Sequence, residues 1–217
     1  MNVSEAVAAR KSIRRFTQAP VETGQLSALL EKAARAPSGG NLQPWRIFAI
    51  TSETMPVFLE HIRHSEFQKT PEYDVYPPDL KSPYRDSRFK VGEDMYTLLG
   101  IPRDDKAARL ANLARNYDFF GAPAGFFCCI DRMMGPPQWS DLGMFLQTFM
   151  LLAQEAGLST CAQEAWSIRS EAVKAFVQYD DDLMLFCGMA VGYADDDAPV
   201  NTLVSDREPL DTWVKFF

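Results

Sequence analysis

Four basic residues fall within the six letters RKSIRR, residues 10–15, of a chain whose formal net charge is −7. A guanidinium is a planar fork of donors that matches phosphate oxygens, and Ser12, between Arg10 and Arg14, adds a hydroxyl. If the first helix continues through this stretch, Arg10 and Arg14 lie four apart on one face and repel unless an anion neutralises them. The competing reading is a basic last turn that complements the helix dipole, with its charged heads in water.

Three further stretches carry candidate chemistry. In APSGGNLQPW, residues 36–45, Ser38, Asn41 and Gln43 offer hydroxyl and amide groups while Gly39 and Gly40 let backbone approach a ligand. That suits the polar edge of a heterocycle, or else simply stops a helix and turns into a strand. In GLSTCAQEAWS, residues 157–167, Glu164 is either a general base or a surface carboxylate on a loop leaving the core. Arg207 stands in VSDREPL, within an acidic tail.

Between residues 69 and 90, Tyr76, Tyr84 and Phe89 alternate with Lys81, Arg85 and Arg88. Such a surface stacks a flat ring and pairs with a carboxylate on it, or its cations are solvated and balance Asp79 and Asp86. His61 and His64 beside Glu60 read as a solvated helix face rather than a metal site, and two histidines leave little material for a His-dependent triad. Cys128, Cys129, Cys161 and Cys187 form no C-x-x-C pair, and they read as reduced core thiols.

The elements that must position these groups follow from periodicity and punctuation. A first helix starts after Ser4 as N-cap, and a second follows Thr23 and ends before Pro37. WRIFAIT reads as a buried strand, and residues 69–90, rich in proline, as a long ordered loop or lid. A helix near 104–117 leads into the strand GFFCCID. From an N-cap at Ser140 to Gly157 runs a helix apolar nearly all round, suited to burial on most sides and to a subunit interface. A helix at 169–178, the strand LMLFCGMAVGY and an unpatterned tail complete the chain.

An acidic balance, with a sequence pI near 4.9, argues against general binding to nucleic acid or an anionic membrane, so any anionic ligand has to be met by local cations. The N-terminal stretch lacks the apolar region of a signal peptide, and the expectation is a cytoplasmic protein.

RKSIR near the start, PSGGNLQPW after the second helix, a buried helix leading to GL and Glu164, and GYADDDAPVN followed by R-x-PL together resemble the flavin-dependent nitroreductase family. The match runs in order along nearly the whole chain. YPPDLKSPYR and FFGAPAGFF resemble its nitrobenzoate-reductase-like branch. The resemblance implies an α+β fold, a mainly antiparallel sheet flanked by helices, in an intertwined homodimer with FMN at the interface. It implies one domain over residues 1–217 with a lid-like insertion about 69–116.

Carried over by position, the resemblance places Arg10, Ser12, Arg14 and Arg207 on the FMN phosphate and pyrimidine edge. Pro37, Ser38, Gly39 and Asn41 would come from the other subunit, and Glu164 and Ala165 would lie beside the flavin near N5. Tyr84, Arg85 and Arg88 are the substrate candidates, for a small aromatic acceptor. NADPH or NADH would donate hydride in ping-pong fashion to reduce nitroaromatics, 4-nitrobenzoate among them. Quinone, enone or flavin reduction on the same scaffold is the alternative, and a non-catalytic flavin-binding protein the remaining one. Two departures from the family pattern stand out: Ala162 and Ala165 replace Pro and Gly around the glutamate, and Ser205 stands where many relatives have a basic residue.

Overall fold

The computed structural model describes residues 1–217. Strands β1 (Arg46–Ile50), β2 (Ala124–Asp131), β3 (Ser159–Gln163) and β4 (Leu183–Gly192) form one sheet in the order β1-β2-β4-β3, and every pairing is antiparallel. The helices are α1 (Val3–Ala9), α2 (Thr23–Ala33), α3 (Met55–His64), α4 (Tyr84–Leu98), α5 (Lys106–Ala114), α6 (Pro136–Glu155) and α7 (Ser170–Val177). The architecture is the α+β sheet flanked by helices that the family resemblance implies.

The two central strands read as continuous apolar runs because both faces of the sheet are covered. Successive side chains of β2 alternate between faces. Phe126, Cys128 and Ile130 join Leu26 and Leu29 of α2 and Leu142, Phe145 and Phe149 of α6. Phe127 and Cys129 point the other way, into Phe58 of α3, Val173 of α7 and Trp166. All four cysteines are buried and free, as core thiols should be. Burial removes water from the thiolate and pushes Cys161 up to about 11 and Cys129 up to about 12.

Several boundaries differ from the sequence reading. The cap of α1 is Asn2, which exchanges bonds with Glu5 in a capping box, so Ser4 is already helical. WRIFAIT is an edge strand in which only Ile50 is buried, because β1 has a neighbour on one side alone. The loop expected to reach residue 90 ends at Pro83, and Tyr84 opens α4, a helix with no buried residue and hence no strong apolar stripe. The helix expected near 104–117 is regular only to Ala114, and a 3-10 stretch, Arg115–Gly121, follows. Helix α6 starts earlier than Ser140, with Pro136 and Pro137 in its first turn, where a missing N–H is harmless. GLSTC is no loop: residues 159–163 pair with β4 as an edge strand.

Helix α6 is buried on one face rather than on most sides. Leu142, Phe145, Leu146, Phe149 and Ala153 are buried, whereas Met144 is exposed and Gln147, Thr148 and Leu151 are partly so. Beyond Asn201 no residue is buried, although the tail carries Val204, Leu210, Trp213, Phe216 and Phe217. No helix is long and apolar enough to cross a membrane.

Candidate functional site

The basic cluster is not helical. Helix α1 ends at Ala9, Arg10 is extended, and the following residues run as a ribbon along the edge of β3. The Ile13 amide donates to the Thr160 carbonyl at 3.0 Å, and Ile13 and Phe16 are buried as anchors. Arg10, Ser12 and Arg14 therefore share a side by extended i, i+2 spacing instead of a helical face. Buried Asn201 fixes this ribbon: its Oδ1 accepts from the Arg14 amide at 2.9 Å, and its Nδ2 donates to the carbonyls of Arg15 and Asp195.

Past Asn201 the chain turns back over the ribbon and closes a cleft of about 540 Å³ lined by Arg10, Lys11, Ser12, Arg14, Gln147, Leu203, Ser205 and Arg207 among others. Four cations line it and no carboxylate does. Neither Arg10, Lys11, Arg14 nor Arg207 has an acidic partner, and Asp206, beside Arg207, pairs instead with Lys90 of α4 at 2.8 Å. Ser205, one of the two departures from the family pattern, orients Arg207: its Oγ accepts from the guanidinium at 2.8 Å. A cation-only cleft in a chain of net charge −7 is built for an anion such as a phosphate.

Arg14 also lines a second cleft, of about 480 Å³, with Glu164, Ala165, Tyr76, Tyr96, Tyr117 and Phe120. Its aromatic and backbone lining fits a flat ring. Glu164 is exposed there. The 3-10 turn that carries it, Glu164–Arg169, is anchored by fully buried Trp166, which lies so close to β4 that a Cβ on Gly188 would sit 2.4 Å from the indole Cδ1. From the opposite wall the Tyr117 hydroxyl donates to the Ala165 carbonyl at 3.3 Å, and the Arg115 guanidinium donates to the Arg14 carbonyl at 3.1 Å. Tyr117, Arg115 and Asn201 escaped the sequence reading, since each acts through backbone groups remote in sequence.

A third cleft, of about 450 Å³, opens off the second and shares Arg14, Tyr76, Met95 and Tyr96 with it. Arg85, Arg88 and Phe89 of α4 line its outer part, whereas Tyr84 is 72% exposed and lines none of the three. The lid segment before α4 is tied to the sheet where β4 bulges. The register shifts between Cys128 and Cys129, and the Phe186 carbonyl, freed from the ladder, accepts the Tyr73 hydroxyl.

Pro37, Ser38, Gly39 and Asn41 line none of these clefts. Their turn is held by the Ser38 hydroxyl, which accepts from the Gln43 amide, and by buried Asp141 of α6, which accepts from the Gly39 amide at 3.2 Å. His61 and His64 are engaged with the carbonyls of Ala172 and Glu60. A hollow of about 960 Å³ is lined by α3, including Glu60, His61 and His64, and by residues near Pro20 and Ala122, and it gathers none of the residues expected to hold cofactor or acceptor.

An antiparallel sheet between two helical layers, with an acid-free cationic cleft that shares Arg14 with an aromatic one, suits a flat, phosphorylated ligand. The nitroreductase family model matches residues 7–193, and the chain belongs to that family. It is 38% identical to a 4-nitrobenzoate reductase of Pseudomonas putida over 97% of this chain and 93% of the relative. A nitrobenzene nitroreductase of Ectopseudomonas oleovorans is 31% identical over 99% of this chain and 96% of its own. Among solved structures, the FMN and NADPH-dependent nitroreductase NfnB from Sphigopyxis sp. strain HMH superposes with a TM-score of 0.94 at 45% identity, covering 100% of this chain and 99% of that one.

Proposed function

We propose that this chain is an FMN-dependent, NAD(P)H-driven nitroreductase of aromatic acceptors, 4-nitrobenzoate among them. The observation that carries the reading is the acid-free cleft of Arg10, Lys11, Arg14 and Arg207 opening through Arg14 into the aromatic cleft beside Glu164. The names of full-length relatives supply the cofactor and the acceptor class.

In this reading Arg10, Ser12, Arg14 and Arg207 hold the FMN phosphate, and the Glu164–Ala165 backbone lies along the ring. Bound FMN supplies hydride exchange between the nicotinamide and the acceptor. The aromatic cleft would position the ring, and the lid cleft that shares Arg14, Tyr76, Met95 and Tyr96 with it would admit the acceptor. Each NAD(P)H supplies one hydride: with one proton the first converts a nitro group to a nitroso compound and water, and with one more proton the second converts the nitroso compound to the hydroxylamine.

Two uncovered surfaces support a homodimer: the Met144 face of α6 and the aromatic tail around Trp213, Phe216 and Phe217. Apolar groups so placed call for a covering partner. The Ser38–Asn41 turn, absent from its own chain's clefts, then completes the site of the second copy. Residues 1–217 act as one domain, with residues 69–116 as the insertion that roofs the acceptor side.

The test is direct. The purified protein should be yellow with dissociable FMN, bleach on anaerobic mixing with NADPH, and regain colour when 4-nitrobenzoate is added. A protein that does not take up FMN overturns the reading, as does one whose reduced flavin is reoxidised by oxygen but by no nitroaromatic.

A further inference from the structure

We infer that Arg88 reads an anionic substituent on the acceptor ring, which makes it a specificity-determining residue for aromatic carboxylates; this rests on the nitroreductase reading above. The lid cleft is lined by three arginines, Arg14, Arg85 and Arg88, against one acid, Glu93. Two of these four charged groups are already committed. Arg85 donates through Nε and Nη2 to Asp86, both at 2.9 Å. Glu93 is held by a two-pronged contact from Arg109 of α5, at 2.6 and 3.0 Å. Arg14 sits at the junction of all three clefts, where it is needed by the phosphate.

Arg88 is what remains. It has no acidic partner, and its guanidinium lies over the Tyr76 ring, 3.8 Å from the centroid. Stacking of this kind fixes the plane of the fork without using its N–H groups, so the donors stay free for a carboxylate. Tyr76 lines both the lid cleft and the cleft beside Glu164, which makes it the wall along which a flat acceptor would extend from the flavin side toward Arg88. A ring lying there with its nitro group inward presents its far substituent to the one uncommitted guanidinium of the lid.

The holoenzyme is compared on 4-nitrobenzoate and its methyl ester, which share size and flatness and differ in charge, at saturating NADPH. Arg88→Ala should lower kcat/KM for 4-nitrobenzoate by about 10- to 100-fold, the scale of a charge-assisted bond, and leave the ester within about 2-fold. Arg88→Lys should recover part of the loss, and Arg85→Ala, which removes a guanidinium already engaged by Asp86, should lose less on 4-nitrobenzoate than Arg88→Ala does. The dissociation constant of 4-aminobenzoate, read from perturbation of the flavin absorbance, should rise in parallel in Arg88→Ala. Equal losses on acid and ester, or no loss on either, overturn the assignment, as does a defect confined to flavin reduction by NADPH, which would make the anion a nucleotide phosphate. A wild type that reduces both compounds without discrimination by Arg88 fails this inference alone. One that reduces neither fails the nitroreductase reading as well.

Discussion

Asn201 clasps the backbone of Arg14: it accepts from the Arg14 amide at 2.9 Å while donating to the carbonyl of Arg15 at 2.8 Å. One buried amide side chain thus joins the tail to the ribbon that carries most of the anion cleft. Asn201→Ala leaves a backbone N–H and two carbonyls without this partner, so the expected loss of stability is about 1–3 kcal/mol, read from urea unfolding. FMN affinity should fall in the same variant although Asn201 does not line the cleft. Unaltered FMN affinity in a destabilised Asn201→Ala would show that the clasp holds the fold and not the cleft.

The approach of Trp166 to Gly188 leaves no room for a methyl group. Gly188→Ala forces the indole out of a fully buried site or bends β4, and either response moves the turn that carries Glu164. Overpacking of this kind costs about 1–3 kcal/mol. The expected outcome is a lower melting temperature together with a slower flavin reduction by NADPH. Wild-type rates in stopped-flow reduction would separate the turn from the chemistry.

The elements legible in the sequence are those whose partners are close or whose pattern is strong. The apolar runs of β2 and β4 and the 3.6-residue spacing of α2 announce themselves because burial on a regular element leaves a regular trace. Arg10, Ser12, Arg14 and Arg207 could be grouped only through resemblance, since nothing local says that residue 207 returns to residue 14. The extended course of residues 10–17 was hidden because it is set by pairing with Thr160 and Tyr193 and by Asn201, all remote in sequence. Helix α4 was hidden for a different reason: without a buried face it has no apolar period, and its prolines lie just before it.

Arg14 and Arg207 can be tested as anion ligands by FMN retention. Arg14→Ala and Arg207→Ala should each weaken FMN binding by about 1.5–3 kcal/mol, measured by fluorescence titration of the apoprotein. The loss should be steeper for FMN than for riboflavin, which lacks the phosphate. Equal losses for the two flavins would place the arginines on the ring instead.

The buried thiols predict an alkaline weakness. In the unfolded chain a thiol titrates near its ordinary value, whereas in the fold Cys161 holds its proton up to about 11 and Cys129 up to about 12. Between those limits the native state binds more protons than the unfolded one, so stability falls as pH rises, by about 1.4 kcal/mol per pH unit for each thiol. Below about pH 8 the same groups contribute no slope. Urea midpoints from pH 7 to 10.5 should therefore decline above pH 9, and Cys161→Ala should start lower and decline less steeply. A slope unchanged by that substitution would assign the decline to other groups.

The last prediction concerns the covered state of α6. Gly39 is held at Asp141, near the start of this helix, while Gln147, six residues further on, lines the anion cleft. Six residues of helix rise about 9 Å, and the Ser38–Asn41 turn reaches none of its own chain's three clefts. If a second copy supplies that turn, cofactor binding and dimerisation must fail together. Met144 is exposed on the face that also presents Thr148 and Leu151, so Met144→Glu places a charge where the partner would sit and removes no contact within the chain's own core. The expected result is a folded monomer by sedimentation, with a wild-type far-ultraviolet spectrum and a loss of bound FMN absorbance. A Met144→Glu monomer that keeps its flavin would mean that one chain holds the whole site, and a dimer that persists would place the interface on the tail instead.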